Sequence, residues 1–210
     1  MTKKQKKANS ERICGLDEAG RGAVAGPLVA AAVILASPPA KIAHLSETPL
    51  KDSKLLKSGQ REKLCRALLR TGAEVSLEVI SARQINNRGV GWANREIFKR
   101  LIRKVTADKY IVDGNLKIKV QGKSERIRSQ VAADATIPEV ILAGNVAKVE
   151  RDKIMSDLHK DFRRYHWKIN KGYGTKKHLG AIRQYGTCRY HRTVFVTTAL
   201  KKGEPLPKET

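Results

Sequence analysis

Cysteine is scarce in this chain of 210 residues: Cys14, Cys65 and Cys188 form an odd, scattered set without a CxxC pair. They imply neither a disulfide framework nor a zinc site. The five histidines, His44, His159, His166, His178 and His191, show no metal-ligand spacing such as HExxH and read as structural or phosphate-facing. Aromatic residues make up only 5% of the chain, which argues against binding by stacking of single-stranded bases. Trp92 and Trp167 are accordingly expected in the core or at its rim. The longest apolar run, Ala23 to Ala36, is 14 residues long and contains Gly26 and Pro27. A membrane-spanning helix needs about 20, so no span is expected. Lys3, Lys4, Lys6 and Lys7 are not followed by an apolar stretch before Asp17, Glu18 and Arg21, so no signal peptide is read and a cytoplasmic protein is expected. Acids are the scarcest charge: 20 Asp and Glu stand against 43 Lys and Arg, a net charge of +23.

That surplus creates a field attractive to polyanions, nucleic acid first, because Lys and Arg that neutralise phosphates release condensed counterions. Charge alone does not separate an enzyme from a ribosome-associated or packaging protein. Hydrophobic residues still reach 40%, enough for a core, which excludes a disordered polycation. Residues 1–11 and 201–210 read as flexible polar tails around one domain over 12–200. Arg12 to Ala19 and Ala25 to Ala36 read as strands about a Gly20-Arg21-Gly22 turn, and a loop runs from Ser37 through Lys54. Ser58 to Arg70 has helical spacing with Gly72 as its stop, Glu74 to Ile80 alternates as a strand, and Ser81 to Val105 is helical with a break near Gly89. Lys109 to Val112 is a short strand ending in an Asp113-Gly114-Asn115 turn. Thr136-Ile137-Pro138-Glu139 fits a capping box that opens a long helix to about Phe162. Thr175 to Tyr185 is a helix, and Thr193 to Thr197 reads as a last strand. Strands alternating with helices give an α/β class with a mixed central sheet flanked by helices.

In so basic a chain, acids at strand ends stand out. Asp17 and Glu18 are adjacent, and neighbours on a regular strand point to opposite faces. Both can serve one site only if the strand ends or twists there, and Gly20 and Gly22 give the backbone that freedom. Asp113 ends its strand, where open α/β sheets place ligands, and Asp134 lies just before the long helix. Read alone, Asp113 is equally a turn former and Asp134 a helix cap. Together, four carboxylates would repel and resist ionisation. Divalent cations relieve that, hard oxygen ligands suit Mg2+ or Mn2+, and two such ions can activate water and stabilise a leaving oxygen in phosphodiester cleavage.

The run Asp17-Glu18-Ala19-Gly20-Arg21-Gly22, followed by Ala25-Gly26-Pro27-Leu28-Val29, closely resembles the opening signature of ribonuclease HII. Further matches follow in order: Asp52-Ser53-Lys54, Asp113-Gly114-Asn115, Asp134-Ala135, Ala147-Lys148-Val149-Glu150-Arg151-Asp152, Lys171-Gly172-Tyr173-Gly174-Thr175 with His178, and His191-Arg192. The similarity covers roughly Arg12 to Val196. It implies a ribonuclease H-like fold with a C-terminal helical segment. It also implies an endonuclease that cleaves the RNA strand of RNA–DNA hybrids, incises at ribonucleotides embedded in duplex DNA, and leaves 5′-phosphate and 3′-hydroxyl ends. The family carboxylates fall on Asp17, Glu18, Asp113 and Asp134, with Asp17 bridging two Mn2+ or Mg2+ ions and Asp134 near the attacking water. Gly20, Arg21 and Gly22 would contact the 2′-hydroxyl, the group that distinguishes RNA from DNA, and its phosphate. Tyr173 would pack on the following sugar, while Ser53, Lys54 and Lys148 would contact phosphates.

Some positions depart from the family pattern. Gly144-Asn145 stands where Ser and an apolar residue are usual, Ala132 replaces a frequent lysine, and Ala23 a common proline. The expected effect is on substrate affinity, since no acid is lost. A short basic tail in place of an extra N-terminal substrate-binding domain favours HII over HIII. The expected partners are RNA–DNA hybrid and ribonucleotide-containing duplex DNA, bound by a monomer with no membrane contact. The competing reading is a non-catalytic duplex-binding protein on the same fold, against which the cost of burying clustered, functionless carboxylates counts.

Overall fold

The computed structural model describes residues 11–202; the expected tails at 1–11 and 201–210 lie outside the described residues but for Glu11, Lys201 and Lys202. Strands β1 (Ile13–Ala19) and β2 (Leu28–Ile34) pair antiparallel, with Asp17 opposite Ala31. The β2 sequence LVAAAVI is apolar without alternation because every residue of it is buried, as happens when both faces of a strand are covered. After it come α1 (Pro39–Ser46), α2 (Ser58–Arg70), the antiparallel partner β3 (Glu74–Ile80), α3 (Ala82–Arg88) and α4 (Val90–Lys104). Next, β4 (Lys109–Asp113) joins β1 in parallel and β5 (Ile127–Gln130) joins β4 in parallel. The short α5 (Ala133–Thr136), the 24-residue α6 (Pro138–Asp161), α7 (Trp167–Asn170), α8 (Lys176–Tyr185) and α9 (Thr193–Lys202) complete the order.

The five-stranded sheet runs β3-β2-β1-β4-β5, mixed as expected. Alternate residues point to opposite faces. Cys14 and Leu16 of β1, Leu28 and Ala30 of β2 and Tyr110 of β4 meet Ile97, Phe98 and Leu101 of α4 on one face. On the other, Ala19, Ala31 and Val33 meet Leu64 and Leu68 of α2 and Leu142, Ala143 and Ala147 of α6. Gly15 lies under the start of α6. A Cβ there would sit 2.6 Å from the Glu139 Cβ and closer still to the Glu139 carbonyl carbon and the Val140 nitrogen, so its lack of a side chain is what lets α6 lie on β1. A third cluster, built from Val24, Met155, Tyr165, Trp167, Ile182 and Val196, sets α7, α8 and α9 against the loop that follows β1.

Several expectations need correction. The loop expected from Ser37 to Lys54 contains α1, which Pro39 opens with a preset φ and Ile42 anchors in the core. β5 was not anticipated: it is an edge strand with three of four residues exposed, so it has no hydrophobic pattern to find. The capping box at Thr136 is absent. Thr136 closes α5, and Ile137 stands at the N-cap of α6 without a side-chain bond, although Pro138 opens the helix as expected. Thr193 to Thr197 is helix, not strand. The Asn86 Oδ1 accepts from the Thr193 N–H (3.0 Å), while the hydroxyls of Thr197 and Thr198 bond back to the carbonyls of Thr193 and Val194.

Among the described residues no helix is long and apolar enough to cross a membrane.

Candidate active site

The carboxylates gather at the C-terminal edge of the two central parallel strands. Leu16 of β1 is level with Val112 of β4, which places Asp17 beside Asp113 on the face covered by α6. Asp17 is only 8% exposed. Its Oδ1 accepts from the Glu18 N–H (2.7 Å), and its Oδ2 faces Gly144 of α6, where any Cβ would fall inside van der Waals contact of that oxygen. The glycine that departs from the family pattern therefore makes room for the first acid. Asp113 Oδ1 accepts from the backbone N–H of Asp134 (3.3 Å), so the carboxylate that ends β4 also ties down the first turn of α5. The α5 N-cap, Ala132, holds a left-handed φ of 56°.

A second segment closes on this edge. Asp52 caps the turn Ser53–Leu55 by accepting from the Lys54 N–H (3.0 Å). The Lys54 ammonium then lies 3.1 Å from Asp134 Oδ2 and 3.4 Å from Asp52 Oδ2. Burial lowers the affinity of that ammonium for its proton, but the hydrogen bonds and charges of Asp134 and Asp52 outweigh it and raise Lys54 to about 12.

The acids feel one another. Burial, then the Glu18 charge, pushes the Asp17 carboxyl well above its ordinary range, with Asp113 and Asp134 adding to the rise. Burial likewise pushes Glu18 up to about 7, against the pull of Arg21 and with the push of Asp113. Asp113 is raised by burial and by Asp134, partly offset by the backbone N–H it accepts. Among the described residues no three His, Cys, Asp or Glu side chains converge into a ready-made ion cage. Each acid raises its neighbours' affinity for a proton, and the cations Lys54 and Arg21 oppose that rise at Glu18. As a donor set they fit a hard divalent cation: carboxylate oxygens whose ionisation is resisted first by burial and then by one another.

The loop after β1 is shaped by buried guanidinium groups. Gly20 takes φ +90°, and a side chain there would also strike the Arg151 guanidinium, so both backbone angle and space demand glycine. Arg151 is fully buried and donates to the carbonyls of Pro27 (3.0 Å), Lys171 (2.8 Å) and Ala25 (3.1 Å). Arg192, also fully buried, donates to Gly26 (3.0 Å) and to the carbonyl of Arg21 (2.9 Å). Burial, reinforced by the nearby Arg151 charge, brings Arg192 down to about 9. Arg21 and Gly22 remain exposed, and Gly22 borders an apolar hollow of about 380 Å³ with Val24, Val90 and Phe195.

Tyr173 is 37% exposed, and its ring lies 5.2 Å from the Arg151 guanidinium and 5.7 Å from the Lys148 ammonium. Lys148 is also bound to Asp152 Oδ1 (2.6 Å), and Ser53 turns its hydroxyl toward Asp52 Oδ1 (3.5 Å), so both are engaged within the protein. Beneath Tyr173, Trp167 Nε1 donates to His178 Nε2 (3.0 Å), whose Nδ1 lies 2.9 Å from the Tyr173 carbonyl. His191 Nδ1 accepts from the Cys188 N–H (2.9 Å), leaving its Nε2 proton to point at His178 Nε2 (3.2 Å). Those partners fix both imidazoles as neutral, and burial lowers both, His191 to about 4. The two histidines are thus structural.

The structure therefore draws Asp17, Glu18, Asp113, Asp134 and Lys54 to one edge, with Arg21 beside Glu18 and Tyr173 across the Arg151 bridge. Sequence reasoning gave no role to Asp52, Arg61, Arg151 or Arg192. The only local signal was the i,i+4 spacing of Lys148 and Asp152.

Comparison with known proteins gives the family and the fold. A family model described as Ribonuclease HII matches residues 14–198. The chain is 36% identical over 190 residues to "Ribonuclease HII" of Burkholderia mallei (strain SAVP1), covering 90% of this chain and 85% of that protein. It is 35% identical over 185 residues to "Ribonuclease HII" of Pelagibacter ubique (strain HTCC1062), covering 87% and 95%. Among solved structures, the complex of PCNA and RNase HII from Archaeoglobus fulgidus contains a chain that superposes with a TM-score of 0.74 at 23% identity, over 94% of this chain and 98% of that one.

Proposed function

Since the chain belongs to the ribonuclease HII family, it is a metal-dependent endonuclease acting on the RNA of RNA–DNA hybrids, and we propose that Asp17, Glu18, Asp113 and Asp134 carry that chemistry. The observation that supports this assignment is the placement of Asp17: a carboxylate only 8% exposed, level with Asp113 on the parallel strand, in a chain where acids are few. A buried acid among other acids is costly unless a cation is to be received there. Divalent Mn2+ or Mg2+ held by these residues, two during catalysis, would supply water activation and neutralise charge on the phosphate.

The chain's own residues do the rest. Asp17 is fixed by the Glu18 N–H and backed by Gly144, and Asp113 is tied to the Asp134 backbone at the first turn of α5. The Gly20-Arg21-Gly22 backbone, clamped by Arg192, meets the ribose 2′-hydroxyl. Tyr173 packs on the following sugar, where a second 2′-hydroxyl would be crowded. That selects a ribonucleotide followed by a deoxyribonucleotide, hence incision at single ribonucleotides embedded in DNA. Lys54 contacts a backbone phosphate, with Ser53 and Lys148 behind it. The products carry 5′-phosphate and 3′-hydroxyl ends. On this reading residues 12–200 are one catalytic unit working as a monomer in the cytoplasm.

The test is a DNA duplex carrying one ribonucleotide, incubated with Mg2+, Mn2+ or EDTA. Nicking on the 5′ side of the ribonucleotide with metal and not with EDTA is the expected result. Tight binding with no nicking under either metal would instead identify a duplex-binding protein.

A further inference from the structure

We propose that Asn145 is a positioning residue, whose side-chain amide hangs the Asp52–Ser53–Lys54 turn from α6 so that the Lys54 ammonium stands at Asp134 and meets the substrate phosphate. The inference rests on the reading of Lys54 and Asp134 as site residues. Asn145 is fully buried in α6, between the buried apolar Ala143 and Ala147. Its Nδ2 donates to the Lys51 carbonyl (3.1 Å) and to the Ile141 carbonyl one turn back (2.8 Å). Two carbonyls on one side fix the amide's orientation, since the oxygen cannot face them. The Oδ1 is left buried without a partner among the described residues. Orphaning an acceptor is unfavourable, so the donor half must return something that an apolar side chain cannot.

What it returns is the backbone anchor at the front of the turn. The Lys51 carbonyl immediately precedes Asp52, which caps the turn and shares the Lys54 ammonium with Asp134. The rear is held by Arg61, whose Nη1 donates to the Ser53 carbonyl (2.8 Å) and whose Nη2 reaches Asp152 (3.4 Å). The Lys54 side chain itself is 76% exposed, so its own packing does not place it; the two backbone anchors do. Asn145 follows Gly144, so a single helical turn seats both Asp17 and the lysine turn.

The test is a double-mutant cycle on hybrid cleavage with Asn145→Leu and Lys54→Ala. Asn145→Leu should lower kcat/KM about fivefold, the worth of one hydrogen bond. It should also flatten the dependence of log(kcat/KM) on log salt toward that of Lys54→Ala, by up to about one phosphate contact. In the Lys54→Ala background Asn145→Leu should cost nothing further. An equal loss in both backgrounds, or no loss in the wild type, overturns the positioning role while leaving Lys54 in the site. Wild-type kcat/KM and salt slope for Lys54→Ala overturn both. Should Asn145→Leu not accumulate as folded protein, Asn145→Ala, which cannot overpack, goes through the same cycle with the same criteria.

Discussion

Replacing Gly15 by alanine tests the seam on which the whole site is assembled. The new Cβ would lie 2.6 Å from the Glu139 Cβ and nearer still to two backbone atoms of α6. Carbon atoms at rest stand about 3.5–4.0 Å apart, so the helix has to retreat by about 1 Å. Neither party is a flexible side-chain end: Gly15 is held by Val33 on one side and Ile111 on the other, and α6 is one continuous helix. The retreat opens the contact of Leu142, Ala143 and Ala147 with Ala31 and Val33, all fully buried. A gap of 0.5–1 Å forfeits about a quarter to a half of each dispersion well, and overpacking adds about 1–3 kcal/mol. We expect a loss of about 3 kcal/mol, which for a domain of this size is a Tm drop of roughly 6–12 °C. The control is Gly59→Ala in the exposed first turn of α2, where a Cβ meets nothing within 4 Å. There the same change should stabilise by up to about 1 kcal/mol. Thermal melts followed by circular dichroism and urea titrations read both variants. If Gly15→Ala melts with the wild type, α6 does not lie on β1 as described, and the seating of Asp17 against it fails as well.

Asp113→Asn should abolish most turnover on hybrid with Mn2+ while leaving hybrid affinity near wild type; cleavage at the wild-type rate would remove Asp113 from the metal set. Tyr173→Ala should reduce cleavage at an RNA-to-DNA junction more than cleavage within a long hybrid, and equal losses on both substrates would count against its contact with the following sugar. His191 provides a pH test. Its folded pKa of about 4 lies below the ordinary 6.5, so the unfolded chain takes the proton first. The stability it contributes is complete above pH 6.5, declines as pH falls toward 4 and then levels off, by at most about 3 kcal/mol. Urea midpoints at pH 7, 5.5 and 4.5 should show the gap between wild type and His191→Gln closing with acid; a gap that stays constant refutes a neutral buried pair.

Much of this fold was legible because its signals are local. The bounds of α2 and β3 follow from spacing and from Gly72, and the break between α3 and α4 from Gly89. Where the signal was not local, the sequence misled. The β-branched run at Thr193 is held helical by Asn86, 107 residues earlier, and β5 has no buried face to betray it. The acids were readable as strand-end candidates, but that they meet depends on β1 and β4 lying parallel and adjacent across about 100 residues, which only the resemblance supplied. Arg151 and Arg192 were invisible as clamps. Both fall in blocks that resemble the family, yet nothing local tells that their partners are carbonyls up to 171 positions away.

The Arg192 clamp also carries a consequence for how the enzyme comes into being. A nascent chain that has emerged only as far as α8 already contains Asp17, Glu18, Asp113, Asp134 and every strand of the described residues, yet the peptide of Arg21 has no guanidinium to grip it. If the Gly20-Arg21-Gly22 turn meets the 2′-hydroxyl as proposed, competence to recognise ribose is deferred to the final stretch of synthesis, and a fragment cut short upstream of that arginine is expected to keep its sheet while lacking a formed reading head.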